Sequence, residues 1–252
     1  MQISLERNSA SNPSIMEYAR VLQSGHADSE NARRRQRDFA ELFLIYGLIL
    51  LVLWMPGPWQ PLLWGVAMSS MLAITYLKFE GLEPMGLGKV NLRQSIWFAG
   101  VALAMASIAI LMAVRLHTLQ LPADRVWLVR HYGAYAVWAL IQQVGLQCFF
   151  FSRLLRLLPS GISAAAMAAV LFAAAHMPSP ILMLATLIWG FAACLLFLRY
   201  RNVYSLAIAH AILGIAIGIT IPGAVDHNMR VGLRYLTYMQ PPVARAISPQ
   251  PQ

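Results

Sequence analysis

Acidic side chains are scarce in this 252-residue sequence: there are ten Asp and Glu, and none between Asp124 and Asp226. That gap excludes from the second half of the chain any mechanism built on a pair of carboxylates, such as those of glycosidases and aspartic proteases. Charge of either sign is also sparse. Charged residues make up 12% of the chain and hydrophobic residues 59%, against roughly 25% and 45–50% in soluble proteins. An integral membrane protein is the class that fits. There are only two cysteines, Cys148 and Cys194, both inside apolar runs, where the expectation is a small buried hydrophobe and not a disulfide or a metal pair. The first 38 residues lack the short apolar core and small-residue cleavage site of a secretory signal. The net charge of +9 is spread over the ends of apolar runs with no basic patch interleaved with aromatics, so nucleic acid is not an expected partner.

What is present is a series of apolar runs, each near the 17–25 residues that cross about 30 Å of hydrocarbon. Seven are expected, at about 39–55, 60–77, 95–114, 127–152, 160–177, 181–198 and 203–221. The fold class is therefore all-α, a polytopic helical bundle. Residues 1–38 form a cytoplasmic, partly disordered polar arm, 39–221 the transmembrane domain and 222–252 a C-terminal tail. Arg33, Arg34, Arg35, Arg37, Lys78, Lys89, Arg93, Arg153, Arg156, Arg199 and Arg201 all fall on one side of such a bundle, which the positive-inside rule makes cytoplasmic. The N-terminus is then inside and the C-terminus outside, with a bacterial inner membrane as the expected location and membrane lipid as the surroundings.

The last four runs hold five large polar side chains, Gln142, Gln143, Gln147, His176 and His210. Gln143 and Gln147, four apart, share one helix face, and Gln142 is turned about 100° away. Gly214 lies one turn beyond His210 and leaves space there. Amides and imidazoles in a bundle often serve as hydrogen bonds between helices, contributing about 0.6–2 kcal/mol each. Five of them on neighbouring segments favour one shared polar cavity.

The fourth run, with "QQVGLQ" at 142–147, "FAAAH" at 172–176 and "HAILG" at 210–214, resembles in order and spacing the three signatures of the CPBP family. Those are intramembrane endopeptidases related to CAAX prenyl proteases and bacteriocin-immunity proteins, with the patterns E-E-x-x-x-R, F-x-x-x-H and H-x-x-x-N or a similar small residue. "MGLGKVNLRQ" at 85–94 is also similar to family text. The resemblance implies a CAAX-protease-like bundle and attack of activated water on a peptide bond in or beside the membrane. It assigns the catalytic positions to Gln142, Gln143, Gln147, His176 and His210, with Phe172 and Gly214 in support.

Here Gln142 and Gln143 stand at the glutamate positions and Gln147 at the arginine's. A neutral amide orients water or donates to an oxyanion but has no useful basicity at pH 7. His176 or His210 is then the only general base. Two histidines without a carboxylate or thiolate fall short of a catalytic zinc set, so no cofactor is expected. Two readings follow: an active peptidase acting on a membrane-embedded peptide, or an inactive pseudoprotease that scaffolds or binds a partner. Straight helices would set Gln142, His210 and His176 at depths of about 15, 10 and 24 Å from the cytoplasmic ends. Their convergence therefore calls for a re-entrant "MPSP" at 177–180 or for different helix ends.

Overall fold

A backbone in hydrocarbon has no water to bond with, so it must satisfy its N–H and C=O groups within each segment, and the α-helix does so. All regular structure among the described residues is helical. The computed structural model describes residues 13–79, 81–121 and 124–238, with side chains from residue 28 onward. Residues 1–12 of the polar arm and 239–252 of the tail lie outside these.

Seven long helices follow one another: α1 (Pro13–Trp54), α2 (Gln60–Leu77), α3 (Leu92–Arg115), α4 (Arg125–Leu157), α5 (Gly161–Ala174), α6 (Pro180–Tyr200) and α7 (Val203–Thr220). Each expected run carries one of them. Four, α3, α4, α6 and α7, are long and apolar enough to cross a membrane by length and composition. At 14 residues, α5 spans only about 21 Å. The chain is an all-α helical membrane protein.

From Pro13 onward the arm is helical rather than disordered. No proline follows Pro13 until Pro56, and the stretch through residue 42 is rich in Ala, Arg, Gln and Glu, all strong helix formers. By contacts the chain divides into two units, Met1–Leu44 and Ile45–Gln252. The candidate site lies in the second.

Within that unit α7 packs against α3 and α4, and α5 against α6. Small residues make these approaches close. Ala164, Ala165, Ala168, Ala169 and Ala173 are buried along α5, and a Cβ added to Gly190 of α6 would stand 3.3 Å from the Ala169 Cα and 3.2 Å from Phe172 Cδ1. On α3, Ala99, Ala102, Ala106 and Ala113 are buried while Leu103, Met105, Ile108 and Leu111 are exposed. That outward face suits lipid.

Side-chain caps start the helices nearest the site, each satisfying an N–H left open by the first turn. Asp124 accepts from Val126 N and Trp127 N, Ser160 forms a capping box with Ser163, and Ser179 accepts from Leu182 N. Asn202, fully buried, caps α7 through Ser205 N at 3.0 Å and donates to the Gly88 carbonyl at 3.2 Å. The segment 84–88 is stitched to the α6–α7 turn by further bonds. Val203 N–H donates to Gly86 O at 2.9 Å and Tyr204 Oη–H to Leu87 O at 3.1 Å. The "MGLGKVNLRQ" text thus begins with a latch that fixes the start of α7.

Candidate active site

The middle of α4 departs from α-helical pitch. Gly145–Phe151 form a π-helical segment, and all seven of its residues are buried. Such segments are rare and concentrate at functional sites. Gln143 closes the α-helical part just before it, and Gln147 lies within it.

Both of these amides are fully buried, so their polar atoms need partners. Gln147 Nε2 donates to Gln143 Oε1 at 3.3 Å, and Gln143 Nε2 lies 3.2 Å from His210 Nδ1. With the amide nitrogen as donor, Nδ1 of His210 is the acceptor, and the imidazole proton resides on Nε2. Gln147 Oε1 is left buried without a partner. Gln142 is half-buried and makes no side-chain hydrogen bond to a described residue. The helix therefore turns one of the two adjacent amides to His210 and leaves the other aside.

His176 sits just past the end of α5, in a turn that contains a cis Met177–Pro178 peptide. Its Nδ1 lies 2.7 Å from the Phe172 carbonyl oxygen. A carbonyl only accepts, so Nδ1 carries the proton and Nε2 presents a lone pair. The two imidazoles consequently offer opposite faces of the same chemistry, His176 an acceptor and His210 an N–H donor.

Phe172 joins them. Its ring centroid lies 4.9 Å from that of His176 and 5.8 Å from that of His210, both edge-on. The depth mismatch expected of straight helices is met by the early end of α5 at Ala174 and by this ring, and the "MPSP" segment is a short turn leading to the Ser179 cap of α6. Gln143, Gln147, Phe172, His176 and His210 thus form one cluster of contacts.

Two aromatic residues that read in sequence as apolar filler also reach it. Trp189 of α6 is tilted against His210, with ring centroids 6.1 Å apart, and its indole N–H is buried without a partner. Tyr135 of α4 fills the space at Gly214: a Cβ added there would overlap its hydroxyl and stand 2.5 Å from Cζ. Neither gave a signal in the sequence, because Trp and Tyr in apolar helices are ordinary packing residues.

Among the described residues no group of three or more His, Cys, Asp or Glu is placed to hold a metal ion. Cys148 and Cys194 are both free and buried, and Cys148 Sγ lies 3.1 Å from the Met85 carbonyl.

A buried histidine and a half-buried one on successive segments thus lie beside an amide pair on a preceding helix of a helical membrane protein. The chain matches the family model of the Rce1-like type II CAAX prenyl endopeptidases over residues 124–216. This stretch runs from the cap of α4 to the last turns of α7 and holds every residue of the cluster, and it supports membership of the CPBP/CAAX protease family. No curated protein and no solved structure matches the chain.

Proposed function

We propose that the chain is an intramembrane peptidase of the CPBP type, hydrolysing a membrane-associated peptide with water activated by His176. The observation that carries this reading is the Phe172 carbonyl holding His176 Nδ1–H, which leaves Nε2 free to take a proton at a cluster that has no carboxylate. A water giving its proton to His176 Nε2 would be oriented by that ring, and the His210 Nε2–H is left to donate to the substrate carbonyl oxygen. Gln143 and Gln147 then act as positioning residues, since they hold His210 in the donor tautomer. The one-sided basic residues support an N-terminus on the cytoplasmic side of the membrane. No feature of the sequence points to a prenyl group, so the substrate class is a membrane peptide of unspecified modification.

A second reading is a pseudoprotease that scaffolds a partner. Its support is the direct bonding of Gln147 to Gln143 and of Gln143 to His210, which is also how amides hold helices together.

The test is cleavage of a fluorescence-quenched peptide carrying one transmembrane segment, by protein reconstituted in lipid vesicles. Loss of a general base costs about 10²- to 10⁴-fold, so His176→Ala should lose that much turnover while remaining folded, and His210→Ala should lose activity as well. Undiminished turnover in His176→Ala would remove the assigned base. A silent wild type would leave the pseudoprotease.

A further inference from the structure

The position one turn after His210 is glycine, and its missing side chain is replaced in space by a residue from another helix. Gly214 is buried on α7, four residues after His210 and on the same face, about 6 Å along the axis. The volume a side chain would take there is occupied by the end of the Tyr135 ring. An added Cβ would overlap the hydroxyl oxygen and approach Cζ at 2.5 Å and Cε1 at 2.7 Å. The CPBP pattern allows a polar Asn at this position, and this chain brings a polar atom to the same place from α4. Tyr135 stands eight residues before Gln143 and four before the fully buried Ala139, so all three lie on one stripe of α4. This is the stripe that meets His210. The Tyr135 hydroxyl makes no hydrogen bond to a described residue, so its proton is available to a ligand.

We infer that the Tyr135 hydroxyl is the hydrogen-bond donor to the substrate carbonyl, acting as a catalytic residue beside the histidines; this rests on the peptidase reading above. As His176 Nε2 takes a proton from water, the water oxygen bonds to the carbonyl carbon. The carbonyl π pair moves onto its oxygen, where the Tyr135 O–H and the His210 Nε2–H meet the developing charge. The pair on the oxygen then re-forms the C=O bond, and the C–N bond breaks with its electrons on nitrogen, which takes the proton back from His176. Tyr135 keeps its own proton throughout and donates a hydrogen bond only.

The experiment uses the full chain in vesicles with the same transmembrane peptide, and reads kcat and KM separately for Tyr135→Phe, Tyr135→Ala and Tyr135→Ala/Gly214→Asn. Removing one oxyanion donor lowers kcat by about 10²- to 10³-fold, so Tyr135→Phe, which keeps the ring, should show that loss with KM nearly unchanged. The double variant should recover at least tenfold over Tyr135→Ala, because an amide at 214 restores a donor where the phenol was. If wild type is active and Tyr135→Phe stays within about threefold of it, or if the double variant recovers nothing, the contribution of Tyr135 lies in its ring and the inference is wrong while the peptidase reading stands. If wild type itself is silent, both fall together.

Discussion

At the scale of single residues, the chemistry of the site turns on which atom of an amide faces an imidazole. Gln143 donates to His210 Nδ1 and so fixes His210 as a donor. A carboxylate at this position only accepts, and would draw the proton to Nδ1 and free Nε2 as a lone pair. Gln143→Glu should therefore remove the His210 Nε2–H donor from the site and lower cleavage of the transmembrane peptide, by about the 10²- to 10³-fold that one oxyanion donor supplies. It should also lower thermal stability in detergent, because an acidic side chain deep in a bundle costs about 2.5–3.5 kcal/mol on insertion scales. Equal or faster cleavage in spite of that loss of stability would count against His210 as a donor. Much of this site was legible in the sequence: two glutamines four apart, the histidine of "FAAAH" and the histidine of "HAILG" stood out because large polar groups in hydrocarbon need a reason. Tyr135 and Trp189 did not stand out. Their rings belong in apolar helices whether or not their O–H and N–H have work to do, and only the geometry at Gly214 and against His210 distinguishes them.

At the scale of elements, the latch between segment 84–88 and the α6–α7 turn sets the height at which α7 presents His210. Gly86 has φ +73°, and a Cβ there would overlap the Phe197 ring, standing 2.9 Å from its Cζ and 3.1 Å from the Arg201 carbonyl. A left-handed backbone costs about 1–2 kcal/mol for a residue with a Cβ, and overpacking costs a further 1–3 kcal/mol or so. Gly86→Ala should lower the unfolding temperature by several degrees in a detergent melt and reduce peptide cleavage, although Gly86 lies outside the histidine cluster. A melt unchanged to within a degree would show that the latch yields without cost. The sequence showed "MGLGKVNLRQ" as a family-like phrase without its purpose, since a glycine's neighbours across space leave no trace in its flanking residues. The helical arm was missed for a different reason. Its polarity reads as disorder, while its Ala, Arg, Gln and Glu content favours helix irrespective of burial.

At the scale of the whole molecule, the distribution of basic residues is the basis of the proposed orientation, with the N-terminus in the cytoplasm. A reporter fused after Gln252 should behave as external, and one inserted near Pro159, between α4 and α5, as cytoplasmic. Both on the same side would break the alternation on which the orientation rests. The order of the apolar helices was legible because apolar length is a coarse signal that tertiary contacts rarely override, but of the seven expected spans only four are long and apolar enough to cross a membrane. The shortness of α5 was not, since Ala175 and His176 read equally well as another helical turn and as the bend that ends it.

The π-helical stretch Gly145–Phe151 has a consequence for what length changes the chain tolerates. A helix that gains a residue without losing its continuity takes up the surplus as a wide turn of this kind, and shortening the stretch by one residue would return it to ordinary pitch. That repair would rotate everything before it by about 100° relative to everything after. Gln143 would swing away from His210 while Leu154 and Phe151 kept their places. The spacing between the polar face of α4 and its C-terminal end is thus a count as well as a composition, and a deletion that removes no named functional residue would still dismantle the site.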